Sequence, residues 1–172
     1  MKKVFIMTIF LLLGGSLFAQ DRTKDEAAIN AVVDAMIYSW NHHNYDDLKN
    51  YTTENTDFVN VVGMWWKGRK ESQYAHQAYH NTMFKTAVCE RTSVAIRFAT
   101  NDVAIVHLIW RFSDPHPQPF PDGKPANGGP TDAIATIVCV QQEGKWLMDA
   151  IENVTIDKGA APYDPVLKMP KN

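Results

Sequence analysis

The hydrophobic pattern changes its period once, near Cys89, and that change limits the folds open to the chain. Upstream, Ile29, Val32, Val33, Met36, Ile37 and Trp40 recur at i, i+3, i+4, i+7, i+8 and i+11, one apolar stripe of an amphipathic helix. Downstream, Val94, Ile96 and Phe98 alternate with Ala95, Arg97 and Ala99. A nearly unbroken apolar run follows over 103–112, then two more strand-like runs over 131–141 and 146–156. Turns at Thr100-Asn101-Asp102 and Glu143-Gly144 separate these runs. Between the second and third lies the stretch 113–130, with six prolines and three glycines, which no regular element tolerates. Helices first and a meander of strands afterwards predict an α+β domain with the helices on one face of an antiparallel sheet.

The upstream half adds detail. Thr23-Lys-Asp-Glu26 has the spacing of a capping box and predicts the start of the first helix. Asn44 is placed to cap a short second helix carrying Leu48 and Tyr51. Thr56 to Met64 is rich in β-branched and aromatic residues, with a turn or bulge at Gly63, and Trp65-Trp66-Lys67 resumes the extended run. Arg69 to Lys85 holds no Gly or Pro and reads as a third helix, with His76, Tyr79, His80 and Met83 on one side.

The first nineteen residues stand apart. Lys2 and Lys3 precede the apolar run Val4 to Leu13, and Leu17-Phe18-Ala19 offers a small-residue cleavage site. This is the pattern of a secretory signal peptide, and the apolar run is far short of the ~20 residues a spanning helix needs. The expected organisation is a leader over 1–19, a domain over 20–156 and a loose tail over 157–172. The expected product is an exported chain, periplasmic or secreted, without stable membrane insertion.

Composition excludes several classes. A net charge of -2 with no block of like charges leaves nucleic acid without an electrostatic footprint. Two cysteines cannot build a disulfide scaffold. In a meander Cys89 and Cys139 lie two strands apart, ~9.6 Å, so both are expected as free buried thiols. No phosphate loop, dinucleotide fingerprint or nucleophile elbow is present, so no cofactor is expected. His76 and His80 share a helix face at i, i+4 but lack the Glu of a zinc-hydrolase helix, and no metal is expected there.

Taken in order, Trp40-Asn41-x-His43, Asp57-Phe58-Val59-Asn60-Val61 with Gly63, Trp66-Lys67-Gly68-Arg69, His80-x-x-x-Phe84, Asp102 to His107, and Gly144-Lys145-Trp146 with Asn153 resemble the SnoaL-like, ketosteroid-isomerase-like families of the nuclear-transport-factor superfamily, in particular the SgcJ/EcaC branch. The resemblance spans Asp25 to Ile156. It implies a curved sheet wrapped around the N-terminal helices as a cone with one open end. It also implies a small, mostly apolar organic ligand in the cone and a homodimer through the outer face of the sheet. Where the family often has Asp, this chain has Asn44, and the proline-rich loop is long enough to hang over the cone mouth.

His80, His107 and Asn153 match family polar positions on otherwise apolar elements. Two readings stand: they orient and deprotonate a ligand, or they form an internal hydrogen-bond network. The enzyme reading is a cofactor-free isomerase, dehydratase or hydrolase with His80 as proton carrier, supported by Asn153 and Tyr79. The alternative is a non-catalytic ligand-binding or dimerisation module. Trp40, Phe58, Trp66, His76, Phe84, His107 and Trp110 are the expected ligand wall. Asp132 and Asp149 interrupt apolar strands, with the solvated edge or an ion pair as the expected placement.

Overall fold

The computed structural model describes residues 7–120, 122–124 and 128–170, with side chains from residue 22 onward. The leader expected over 1–19 lies outside the described side chains, and its first six residues outside the described chain.

A long helix α1 (Met7–His42) opens the fold, followed by a 3-10 turn (Leu48–Asn50) and strand β1 (Thr52–Val59). A tight turn leads to the two-residue β2 (Trp65–Trp66), helix α2 (Gly68–His80) and four long strands: β3 (Val88–Phe98), β4 (Val103–Ser113), β5 (Thr131–Gln142) and β6 (Lys145–Thr155). The six strands form one sheet in the order β2-β1-β6-β5-β4-β3. Every pairing is antiparallel except β1 with β6, which is parallel because the chain reaches the far edge before meandering back.

The sheet is bent by register shifts between Arg91 and Ser93 in β3, Val138 and Cys139 in β5, and Thr52 and Asp57 in β1. Such irregularities strengthen twist and curl a sheet. Ala104, Val106, Leu108, Ala133, Ala135 and Ile137 face its concave side, and the small alanines make room there for Ile29, Val33 and Met36 of α1. Helix and sheet thus bury one common core. Among the described residues no helix is long and apolar enough to cross a membrane.

Four expectations about the elements are corrected. Helix α1 runs straight through Thr23 instead of starting there, because Leu17 to Asp21 contains no breaker. The element after Asn44 is one 3-10 turn, and Asn44 Oδ1 accepts from the Asp46 amide in a local turn rather than capping a helix. Strand β1 begins four residues before Thr56. Helix α2 stops at His80, with Thr82 Oγ1 donating back to the Ala78 carbonyl as the chain turns away. Cys89 and Cys139 are buried free thiols, as the strand order requires, and burial pushes both up to about 12.

Candidate functional site

The C-terminus of α1 organises the site. Asn44 N–H donates to the Ser39 carbonyl (3.2 Å) and His43 N–H to the Trp40 carbonyl (3.1 Å). These are the paired bonds of a Schellman cap, whose left-handed residue is usually glycine. Here it is His43, at φ 53°. Its ring explains the exception: Nδ1 lies 2.8 Å from His80 Nδ1. Two residues earlier, Asn41 clamps the first turn of β3, its Nδ2 donating to the Cys89 carbonyl (2.9 Å) and its Oδ1 accepting from the Cys89 amide (2.8 Å). The Trp40-Asn41-x-His43 motif is therefore a joint between helix, sheet and α2.

His80 is 2% exposed and both its ring nitrogens are engaged. Nε2 lies 3.1 Å from the Tyr45 hydroxyl. If Tyr45 donates to Nε2, then His80 Nδ1–H donates to His43 and every hydrogen has an acceptor. The opposite tautomer leaves the phenolic hydrogen without one among the described residues. Burial, then His43 and His76, hold His80 down at about 3, so the ring is neutral.

His76, one turn earlier on α2, has a different setting. Its Nδ1 meets the Ser72 carbonyl at 2.7 Å, which places the proton on Nδ1 and the lone pair on Nε2. Phe58 and Trp66 pack edge-on to the ring at 4.6 and 4.9 Å, and Tyr45 stacks on it at 4.7 Å. Burial lowers His76 to about 4 against the opposing pull of the Ser72 carbonyl.

His76 borders a small cavity of about 20 Å³ inside the cone, room for about one water molecule. Its walls include Met36, Leu48, Phe58, Trp110 and Ile151, together with Trp40, Tyr51, Thr56 and Ser72. Those last four carry Nε1, Oη, Oγ1 and Oγ atoms that are buried without a hydrogen-bond partner among the described residues. Unpaired buried polar atoms are rare; these four belong to residues that line one cavity, whose surface is itself almost wholly apolar. Tyr51 Oη lies beside Ser39, whose hydroxyl is already held by Asp47 Oδ1 (2.7 Å) and the Ala35 carbonyl (3.0 Å). Burial raises the Tyr51 phenol well above its ordinary value.

Of the residues expected from sequence, Trp40, Phe58, His76 and Trp110 border this cavity. Trp66 and Phe84 stand behind it, Trp66 stacked on Phe58 at 5.4 Å and Phe84 on Trp40 at 5.5 Å. His80, expected as the proton carrier at the ligand, is buried but sits behind the wall in the Tyr45–His43 network, and the ring that lines the cavity is His76. Asn153 does not reach the cavity; its Oδ1 accepts from Trp110 Nε1 at 3.2 Å and so fixes that wall. Tyr79 turns its hydroxyl outward to Met64 Sδ at 3.4 Å. His107 is exposed on the convex face, because it alternates with Val106 and Leu108, which point inward.

Asp132 pairs with Arg111 and Lys158 at 2.7 Å each and is held at about 2 by the Arg111 and Lys158 hydrogen bonds. Asp149 accepts from the Thr53 hydroxyl at 2.7 Å. Neither borders the cavity. The proline-rich loop is pinned to the 81–87 turn by Thr86, which donates to Asp114 and to the His116 carbonyl, and its described residues do not line the cavity. Thr56 and Ser72 are the polar residues the sequence reading missed. Thr56 shares a strand face with Phe58, and Ser72 a helix face with His76 and His80, so both periodicities carried the signal.

No family model and no curated protein sequence matches the chain. Solved structures do. An uncharacterised protein with a cystatin-like fold from Caulobacter vibrioides shares 28% identity over 84% of this chain and 98% of its own, with a TM-score of 0.77. A hexachlorocyclohexane dehydrochlorinase, LinA type 2, superposes with a TM-score of 0.68 at 13% identity, over 81% of this chain and 90% of its own. A candidate scytalone dehydratase from Novosphingobium aromaticivorans gives a TM-score of 0.64 at 15% identity, over 81% and 89%. At these identities the last two share the fold alone.

Proposed function

We propose that the chain, which shares its fold with the cystatin-like, dehydrochlorinase and dehydratase structures above, is an NTF2-like, SnoaL-like protein that binds a small organic molecule inside the cone and acts on it by cofactor-free acid–base chemistry, of isomerase, dehydratase or hydrolase type. The observation that carries this reading is His76: a neutral imidazole in an apolar wall, its proton fixed on Nδ1 by the Ser72 carbonyl and its Nε2 lone pair left as a base. In such a step Nε2 takes a proton from a ligand C–H or from water. The electron pair stays on the ligand or the attacking oxygen, and the proton is returned when the product forms. His80, Tyr45 and His43 hold α2 in place behind the base. The dehydrochlorinase and dehydratase names among the structural neighbours are consistent with elimination chemistry in a cone of this kind.

The small size of the cavity favours a second reading. At about 20 Å³ it admits a ligand only when the wall opens, so a module that captures a ligand without turnover fits the same geometry. The two separate on 5-nitrobenzisoxazole, a neutral probe whose ring opening needs only a base in an apolar site. Catalysis predicts turnover above the rate of free imidazole, lost in His76→Gln and kept in His80→Gln. No acceleration, or equal loss in both variants, rejects His76 as the base.

We further propose export, with cleavage after Ala19 leaving Gln20 first, and a homodimer through the convex face. There Ile105 and Ile109 pair across the sheet with Val138 and Ile134, all of them half-buried. Mass measurement of the secreted chain and light scattering of wild type against Ile105→Lys test these two points.

A further inference from the structure

Resting on the reading of the convex face as a dimer interface, we propose that the segment after β6 is an exchanged arm, which crosses to a second copy of the chain and lies on that copy's convex face. Every described residue from 157 to 170 is exposed, yet the segment has a definite shape. It forms two 3-10 turns, Ala161–Tyr163 and Pro165–Lys168, and the Asp164 carboxylate caps the second by accepting from the Val166 amide at 2.9 Å. These turns hold four apolar side chains in the open: Tyr163 is 84% exposed, Leu167 70%, Met169 65% and Val166 62%. A shaped segment that buries none of its apolar groups lacks the contact that would offset its ordering.

The convex face is a surface of the matching kind, and the arm starts on it. Ile109, Ile134 and Val154 stand side by side across β4, β5 and β6. Ile105, Val138 and Ala150 form a second such row, and Val103, Val140 and Leu147 a third. The arm is tied down next to the first row: Ile156 N–H donates to the Asp132 carbonyl at 2.9 Å, and Lys158 pairs with the Asp132 carboxylate at 2.7 Å. Between the first and second rows lie His107, Thr136 and Glu152. Glu152 has no ion-pair partner among the described residues. Neither has Lys168, the arm's cation between Leu167 and Met169.

A second copy is the occupant that fits. Its convex face is apolar where the arm is apolar and carries a carboxylate to meet Lys168. A two-fold axis between two such faces sets each arm on the other chain, the reciprocal geometry of an isologous interface. From Lys158 to Lys168 the arm reaches roughly 20 Å even as 3-10 turns. The Asp132 and Glu152 rows are four residues of strand apart, roughly 13 Å.

Two measurements decide it. Sedimentation of the full chain is compared with that of a chain stopped after Ala160. Without the arm, dimerisation should be about tenfold weaker or worse, at an unchanged urea midpoint because no described arm residue is buried. The second measurement is partner choice: Lys168→Glu and Glu152→Lys chains are mixed and read by native mass spectrometry. With exchanged arms the mixed dimer brings opposite charges together at both contacts, and either homodimer brings like charges together. The mixed form should reach about four-fifths of the dimer rather than the statistical half. Lys49→Glu in place of Lys168→Glu carries the same net charge and should return the half. A wild-type dimer whose dissociation constant survives truncation, a statistical mixture, or an excess that persists with Lys49→Glu overturns the exchanged arm and leaves the convex-face dimer standing. A wild type that stays monomeric at millimolar concentration brings down both.

Discussion

Two buried neutral histidines make the fold sensitive to mild acid, and the size of the effect follows from their environments. His76 is held at about 4 and His80 at about 3, against an ordinary value of 6.5. Above pH 7 neither state binds these protons and the two rings have no pH effect. As the pH falls through 6.5 the unfolded chain takes up a proton on each ring while the folded chain does not, so stability is lost progressively from that point. At pH 5 each ring contributes a loss of about 2 kcal/mol relative to pH 7.5, about 4 kcal/mol together, with a slope approaching ~2.7 kcal/mol per pH unit. The titratable groups facing them are each other, His43 and Tyr45, and among the described residues no carboxylate shifts either ring. A domain is stable by only about 5–15 kcal/mol, so this is a large fraction. Urea denaturation at pH 7.5 and pH 5.0, above most carboxylate titrations, reads it directly as a fall in midpoint. His76→Phe should remove about half of the fall. A midpoint unchanged between the two pH values, or a fall that survives substitution of both rings, refutes the argument.

Other substitutions probe single features. Thr56→Val removes a buried hydroxyl unpaired among the described residues and should raise stability by about 1 kcal/mol, read by urea midpoint. Asn153→Ala leaves Trp110 Nε1 unpaired in the core and should cost about 1–3 kcal/mol by the same measurement. His43→Gly relieves a left-handed backbone by about 1 kcal/mol but loses the bond to His80, so its net change should be near zero, whereas His43→Ala loses the bond with no relief and should cost about 1–2 kcal/mol. With Cys89 and Cys139 buried and pushed up to about 12, a thiol reagent should label neither until the protein is unfolded.

The fold was legible because period and order carry it. The stripe from Ile29 to Trp40 and the alternation after Cys89 report which faces are buried, and four strands in succession leave little choice but a meander on a helix. Element ends were less legible. Where α1 begins depends on whether the segment before Thr23 continues the helix, which a capping pattern cannot decide alone. That β1 starts at Thr52 depends on its parallel partner Met148 in β6, nearly a hundred residues away. Such non-local pairing leaves no mark in a window of ten residues.

The site shows the same division at finer scale. Helical spacing placed His76 and His80 on one face of α2, and the resemblance favoured His80 as the inward ring. Which ring meets the cavity is decided by partners on other elements: His43, left-handed at the end of α1, takes His80 Nδ1, while Phe58 of β1 and Trp66 of β2 frame His76. His80 has surrendered both nitrogens to the joint and has none left for chemistry; His76 gives one to its own helix and keeps the other. The same logic separates Asn153 from Thr56. Asn153 is a buried polar residue whose oxygen is already claimed by Trp110, and Thr56 is one whose hydroxyl has no partner among the described residues. In a core that otherwise satisfies its polar groups, such unclaimed atoms are recognised by counting hydrogen bonds rather than by residue type.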